Sequence, residues 1–330
     1  MIYVTCPPNC VSGGPELLHQ LVFTINNLGG DAYIYYPNAI KNIDPTPEKF
    51  KKYNTPFILD LKKIKNVKAI IVPEVMTSIL NYNIPKTCRK IIWWLSVDNY
   101  FPTHPNRSFF NKLLKFIIRG DSWNYFDFTS KKVKNYTQSE YAKEFLLQKN
   151  AQFSGFLSDF LSDDFLEAGL LAQNNSQKRE DIVLYNPKKG INITNKLIKH
   201  APHIQFTPIN NMSSEEIIEL MSKAKVYIDF GHHPGKDRIP REAAIMGCCI
   251  LVGLSGSAIN DIDVPIPKGN KFETINLDIN TVIKKIETCL SDYEDEYNQL
   301  EFYRNKIYKE KDIFLCQVQS FLKDISNSDI

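Results

Sequence analysis

Short apolar segments alternate with longer amphipathic segments along most of this chain. In the first half, the apolar segments predict strands at Ile2–Thr5, Ala32–Tyr36, Ala69–Val72, Lys90–Leu95 and Lys132–Thr137. Apolar residues at helical spacing predict helices at Pro15–Leu28, which Gly29 and Gly30 end, and at Glu140–Lys149. Strands that alternate with helices in this way are typical of a mostly parallel, doubly wound sheet.

The same alternation starts again after a polar segment, Ala172–Asp181, which we interpret as a linker between two domains. Beyond it the pattern predicts strands at Ile182–Tyr185, Ile204–Thr207, Val226–Phe230 and Cys249–Val252, with helices at Ile191–Lys199, Ser214–Ala224 and Pro240–Met246. From Asn280 the chain is predicted to be helical, with a tail that frays from about Asp324. The sequence therefore predicts an α/β protein with two similar halves and a cleft between them.

Length and charge narrow the class of protein. A chain of 330 residues exceeds what one hydrophobic core usually supports, which agrees with two domains. The 40 Lys and Arg residues against 37 Asp and Glu residues leave a net charge of +3, too small for a general nucleic-acid-binding surface. The N-terminus lacks a signal-peptide pattern, and no segment approaches the roughly 18 consecutive apolar residues of a membrane-spanning helix. We therefore expect a cytoplasmic protein that binds no nucleic acid.

The cysteines and histidines do not predict a metal site. The 7 cysteines are an odd and scattered set without the paired spacing of a zinc site. The 6 histidines form no helical pair of zinc ligands. We interpret the cysteines as reduced, mostly buried thiols.

The first candidate binding segment is the turn between the first strand and the first helix. Gly13 and Gly14 allow a ligand to approach the backbone closely, and Pro15 suits the first turn of a helix. The free N–H groups at this helix start would favour an anion or a sugar hydroxyl. The segment is also compatible with an ordinary tight turn, and it lacks the full glycine pattern of nicotinamide or flavin sites.

Two segments of the second half have the composition of a diphosphate site. Lys188, Lys189 and Gly190 follow its first strand, where two ammonium groups would suit a diphosphate, although surface lysines are common. The segment Asp229–Ala244 follows another strand and places Arg238 at a predicted helix start, where helix dipole and guanidinium both favour phosphate. Glu242, predicted in the first turn, can accept two hydrogen bonds from a ribose diol, but the helix dipole alone also favours an acid there.

The order of these segments resembles a known family. Gly13-Gly14, Thr137–Lys143, Lys188–Gly190, Pro240–Ala244 and then Gly247–Ile250 resemble successive landmarks of bacterial GT-B glycosyltransferases. The resemblance is to the group with an acidic E-x7-E motif that builds lipopolysaccharide and capsule, and it spans most of the chain. It implies two Rossmann-like domains whose parallel sheets face each other across a cleft.

The resemblance assigns roles to residues of the second half. It implies that Lys189 and Arg238 bind the donor diphosphate and that Glu242 binds the nucleotide ribose. His233, Lys236 and Ser257 complete the predicted donor contacts, together with Gly13 and Gly14. One departure is clear, because Pro234 stands where the family has its first acid. Asp229 or Asp237 is a candidate substitute, and the stereochemical outcome is left open.

Asp98 is the candidate general base or acceptor contact in the first half, since deprotonating a sugar hydroxyl requires a carboxylate or imidazole. An N-cap role for Asp98 is equally compatible with its position. Glu74, after a strand, and His104, in a predicted loop, are weaker candidates.

Phe109–Arg119 mixes apolar residues with three cations, which suits either a helix on an anionic membrane or a buried helix with exposed lysine ends.

Together these features predict an N-terminal acceptor domain at residues 1–175 and a C-terminal donor domain at residues 176–330, whose last helix packs back toward the first domain. The resemblance implies transfer of a sugar from a UDP- or GDP-sugar to a glycan or lipid-linked acceptor in bacterial surface polysaccharide synthesis, with no tightly bound cofactor or metal. It also implies a cytoplasmic enzyme that associates with the inner membrane surface. The alternatives are a GT-B epimerase or hydrolase of nucleotide sugars, and a catalytically silent GT-B scaffold.

Overall fold

The structure is a computed structural model that describes residues 1–61, 66–81, 84–85, 87–100, 128–174 and 178–327. Contacts between Cα atoms divide the chain into two compact units. The first consists of Met1–Asp159 and Asp312–Ile330, and the second is Phe160–Lys311. Each unit is built on a sheet of parallel strands, as the alternating pattern predicted.

The first unit contains a seven-stranded sheet. Its strands are β1 (Ile2–Thr5), β2 (Ala32–Tyr35), β3 (Phe57–Ile58), β4 (Ala69–Pro73), β5 (Arg89–Trp94), β6 (Val133–Thr137) and β7 (Phe153–Phe156). The order is β3-β2-β1-β4-β5-β6-β7, and neighbouring strands are parallel. Helices α1 (Gly13–Asn27) and α2 (Glu140–Gln148) and 3-10 helices at Glu48–Tyr53, Glu74–Asn81 and Val97–Asn99 connect them.

The second unit contains a five-stranded sheet. Its strands are β8 (Glu180–Tyr185), β9 (Gln205–Pro208), β10 (Ala224–Asp229), β11 (Cys249–Gly253) and β12 (Lys271–Phe272), in the order β12-β11-β10-β8-β9. The helices of this unit are α3 (Asp163–Asn174), α4 (Ile191–His200), α5 (Ser214–Lys223), α6 (Arg238–Ile245), α7 (Ile279–Ser291) and α8 (Tyr293–Asn298). Central strand β10 is almost fully buried, as expected for a sheet covered on both faces.

The last helix, α9 (Glu301–Asn327), belongs to the second unit up to Lys311 and to the first unit from Asp312. The predicted fraying from Asp324 is wrong, because the Asp324 carboxylate accepts hydrogen bonds of 2.6 Å from both Lys134 and Tyr136 of β6. Phe321 packs edge-on against Tyr136 with ring centroids 5.0 Å apart. These contacts fix the end of α9 on the sheet of the first unit.

The pattern missed the shortest elements. Strands β3 and β12 have two residues each, too few to show periodicity, and β7 contains Gly155, which is unfavourable in strands. Helix α3 was also missed and overlaps the start of the predicted linker. Its Phe165 belongs to the hydrophobic core of the second unit, so the contact division assigns this helix there, whereas the sequence-based limit after residue 175 assigns it to the first domain.

Each sheet has one point where the strand order reverses direction. In the first unit it lies between β1 and β4, and in the second between β8 and β10. Loops that leave the carboxyl ends of the two strands at such a point diverge to opposite sides and open a crevice, where ligands bind in doubly wound sheets. The fold therefore identifies one position in each unit at which to search for a site.

Candidate functional site

The loops after β8 and β10 of the second unit lie against each other at the reversal point. Gly190 has a left-handed backbone with φ of 59°, and a Cβ added there would lie 2.4 Å from the carbonyl carbon of Phe230. A Cβ added to Gly231 would lie 2.4 Å from Cβ of Lys189. Neither glycine has room for a side chain, so the two loops meet backbone to backbone and place Lys189 beside the loop after β10.

The loop after β11 supports the loop after β10 from the other side. The backbone N–H of Ser257 donates a hydrogen bond of 2.9 Å to the carbonyl of His233, and the Ser257 hydroxyl donates one of 2.6 Å to the carbonyl of Gly235. Ser257, a predicted donor contact, is completely buried, so its hydroxyl holds the loop. The loops after three neighbouring strands of the sheet, β8, β10 and β11, thus form one candidate site.

Charged side chains connect the first two loops. The ammonium group of Lys189 pairs with the carboxylate of Asp237. Nδ1 of His233 donates a hydrogen bond of 3.0 Å to the same carboxylate oxygen, and Nε2 of His233 lies 3.8 Å from Oδ1 of Asp229. The imidazole, whose exposed fraction is 1%, is therefore enclosed between two carboxylates.

This network favours the charged forms of His233 and Asp237. Burial lowers the pKa of His233, but its hydrogen bond to Asp237 and the two negative charges beside it outweigh burial and raise that pKa above its usual value. Burial raises the pKa of Asp237, but His233 and Lys189 outweigh this effect and lower it. An imidazolium and an ammonium group thus balance the carboxylates of Asp229 and Asp237.

Asp229, His233 and Asp237 also have the spacing of a metal site, since one ligand atom of each lies within 4.8 Å of the others. A metal would require a neutral imidazole, however, and the surrounding charges favour the imidazolium. Lys189 already supplies a positive charge to Asp237. We therefore interpret these residues as an ion-pair network that fixes the loop.

Helix α6 begins earlier than predicted. It starts at Arg238 after an extended Asp237, rather than at Pro240, because proline is tolerated in a first turn, where no intrahelical N–H bond is required. Glu242 consequently lies in the second turn, and its prediction as a first-turn residue is wrong. Arg238 is at the helix start as predicted, next to the ion-pair network.

Lys236, a predicted donor contact, is directed to the last helix. Its ammonium group lies 2.6 Å from the carboxylate of Glu310 in α9, and its side chain is only 9% exposed. The guanidinium of the buried Arg241 donates a 2.6 Å hydrogen bond to the other oxygen of Glu310. Sequence reasoning missed Glu310, because no local pattern links it to a loop about seventy residues earlier.

The first unit also brings polar groups to its reversal point. A Cβ added to Gly14 would lie 3.8 Å from Leu95, so the glycine turn after β1 is close to the end of β5. Asp98 follows in a 3-10 helix, and its two carboxylate oxygens accept hydrogen bonds of 3.2 and 3.0 Å from the hydroxyl of Tyr141 in α2. Asp98 is partly exposed, whereas Glu74 is buried.

Two predictions fall outside the described residues, namely His104 and the membrane-facing segment Phe109–Arg119. Among the helices that the structure describes, none combines the length and apolar character required to cross a membrane.

A large cavity lies elsewhere in the second unit. It has a volume of about 610 Å³ and is lined by Arg179, Lys225 and Tyr293, at the amino ends of the strands. Arg179 donates hydrogen bonds to the carbonyls of Met221 and Ala224 there. Ligands of doubly wound sheets bind at the opposite edge, so we assign the site by the strand ends rather than by cavity size.

No family model and no curated protein sequence matches this chain. Solved structures do match it over its whole length. Sucrose-phosphate synthase from Thermosynechococcus elongatus is similar with a TM-score of 0.66 and 11% identity, covering 99% of both chains. HepE from Anabaena in complex with UDP-glucose has a TM-score of 0.60 and 11% identity, covering 98% of this chain and 99% of that one.

WaaG, a glycosyltransferase involved in lipopolysaccharide biosynthesis, is similar with a TM-score of 0.60 and 10% identity, covering 99% of this chain and 100% of that one. At these identities the likeness concerns the fold. The predicted architecture is confirmed at that level: the chain has the GT-B fold, with two Rossmann-like units built on parallel sheets.

Proposed function

We propose that this protein is a glycosyltransferase that moves a sugar from a nucleotide-diphosphate donor to a hydroxyl group of an acceptor. The observation behind the proposal is the convergence of Lys189 and the start of α6 at the strand-order reversal of the second unit. The backbone N–H groups of the helix start, the helix dipole and the guanidinium of Arg238 favour a dianionic group at that position.

In this proposal the second unit stabilises the leaving group. Lys189 and Arg238 contact the diphosphate and stabilise the charge that develops as the bond to the sugar breaks. Glu242, one turn further along α6, accepts hydrogen bonds from the ribose hydroxyls. His233 acts through the carboxylate of Asp237, Ser257 through the backbone of the loop and Lys236 through Glu310, so none of these three needs to touch the donor.

The first unit supplies the acceptor side of the reaction. The turn at Gly13 and Gly14 allows close approach of a sugar, and the Asp98 carboxylate accepts the proton of the attacking hydroxyl. HepE was solved with UDP-glucose, and WaaG takes part in lipopolysaccharide biosynthesis. The likeness to HepE favours a UDP-sugar donor. The proposed acceptor is a glycan or lipid-linked glycan of bacterial surface polysaccharide synthesis, at the inner face of the membrane.

A nucleotide panel and a nucleotide-sugar panel test the proposal. UDP or GDP at about 100 times its Kd is expected to add roughly 2.7 kcal/mol to the free energy of unfolding, measured as a rise in Tm. The matching nucleotide sugar is then expected to release nucleotide only when an acceptor glycoside is present. Release without acceptor would indicate an epimerase or hydrolase, binding without turnover a silent scaffold, and absence of any Tm shift would contradict the donor site.

A further inference from the structure

Glu74 lies at the strand-order reversal of the first unit. It directly follows β4, whose neighbour on one side is β1 and on the other is β5. Its side chain is buried, with an exposed fraction of 2%. A carboxyl group is costly to bury, so its presence at the point where such sheets bind ligands requires a physical reason.

The contacts of Glu74 give that reason. Oε2 of Glu74 accepts a hydrogen bond of 2.8 Å from the backbone N–H of Leu95. Leu95 is the residue nearest to a Cβ added at Gly14. Glu74 thus fixes the backbone of Leu95, whose side chain lies beside the glycine turn. This backbone leads directly to Asp98.

The Glu74 carboxylate acts as a fixed hydrogen-bond acceptor for the backbone. Burial raises the pKa of Glu74 to about 7, against the backbone N–H groups of Leu95, Ser96 and Glu74 itself, which favour the carboxylate. A buried group bonded to backbone N–H groups does not reach a substrate hydroxyl. Its effect is on the segment that it holds.

We propose that Glu74 is a positioning residue of the acceptor side: its carboxylate holds the backbone of Leu95, and so sets the position at which Asp98 meets an acceptor hydroxyl. This inference rests on the proposed function. It replaces the prediction of Glu74 as a candidate base. Because Asp98 is itself held by Tyr141, the segment is fixed from both sides, and a small displacement at Leu95 misaligns the carboxylate for proton transfer.

Three full-length variants test this inference. Glu74→Gln keeps an oxygen that can accept from Leu95, whereas Glu74→Ala removes it. Asp324→Asn is the control, because it weakens an ion pair of the same unit with Lys134. Lys134 lies near the amino end of β6, whereas Asp98 follows the carboxyl end of the neighbouring strand β5. Initial rates are measured with the nucleotide sugar that the wild-type protein uses and a panel of alkyl glycosides as acceptor probes, and UDP affinity is measured separately.

Glu74→Ala is expected to lower kcat by about 10- to 100-fold, as a misplaced reacting group does, with UDP affinity unchanged within about twofold. Glu74→Gln is expected to recover most of kcat, and Asp324→Asn to lower Tm without changing kcat. Equal losses in the Gln and Ala variants, unchanged kcat in Glu74→Ala, or an equal loss in Asp324→Asn would overturn the inference alone. A wild-type protein that transfers sugar to no probe would overturn the proposed function and the inference with it.

Discussion

Nδ1 of His233 donates its hydrogen bond to the same carboxylate oxygen of Asp237 that the ammonium group of Lys189 contacts. This oxygen of Asp237 therefore connects Lys189, in the loop after β8, to His233, in the loop after β10. The loops are held by charge as well as by the close approach of their glycines. Their geometry depends on the protonation of an imidazole, and this dependence can be measured.

The first prediction concerns pH. Because folding raises the pKa of His233 above its ordinary value of 6.5, its imidazolium contributes stability in full below pH 6.5 and loses it as the pH rises through the folded value. The free energy of unfolding, from urea titrations between pH 6 and pH 9, is expected to fall with rising pH. His233→Gln should remove this component. His203→Gln, which changes an exposed histidine paired with Glu287, should retain it.

The second prediction concerns the donor cation. Lys189→Ala is expected to weaken UDP binding about 10- to 100-fold, the usual effect of one lost charge-assisted hydrogen bond. The matched control is Lys199→Ala, which changes an exposed lysine in the last turn of α4, the helix that begins two residues after Lys189. Calorimetric titration with UDP measures both variants. Equal affinity in the two would contradict a diphosphate contact at Lys189.

The third prediction concerns the approach of the loops. Gly190→Ala is expected to weaken nucleotide binding at least tenfold, because the new Cβ clashes with the backbone of Phe230. It should also destabilise the protein by more than the roughly 1 to 2 kcal/mol that an alanine costs in the left-handed conformation alone. Gly29→Ala has a similar positive φ, but nothing lies within 4 Å of its added Cβ. It should therefore show the backbone cost alone. Thermal melts and UDP titrations measure both variants. Equal Tm and equal UDP affinity in the two would contradict a close approach of the loops at Gly190.

The fourth prediction concerns Glu310. Glu310→Ala leaves Lys236 and Arg241 buried without their carboxylate, which typically costs about 3 to 5 kcal/mol. The neighbouring ion pair between Lys311 and Asp163 is exposed, so Asp163→Ala is expected to cost less than about 1 kcal/mol. Urea denaturation measures both. A cost for Glu310→Ala as small as that of the control would mean that the two cations find other partners.

Periodicity predicted most of the strands and helices because these are long enough to repeat a pattern, whereas β3, β7, β12 and α3 were missed. The two loops at the reversal point of the second unit were also predictable, since Lys189 stands in a loop after a strand and Arg238 stands at a helix start. The contacts that the sequence did not predict are tertiary. Lys236 has the composition of a phosphate ligand, yet its partner Glu310 is far along the chain. Ser257 was expected to face the donor, and its burial follows from the close packing of the loops after β10 and β11.

The division of α9 between the units has a consequence for synthesis on the ribosome. All residues of the second unit, Phe160–Lys311, have been translated before the first unit receives Asp312 and the residues after it. Until then Tyr136 lacks the ring of Phe321 that packs against it. Since domains generally fold as their residues emerge, the C-terminal unit is expected to reach its native state first, and the N-terminal unit, although translated earlier, to finish last.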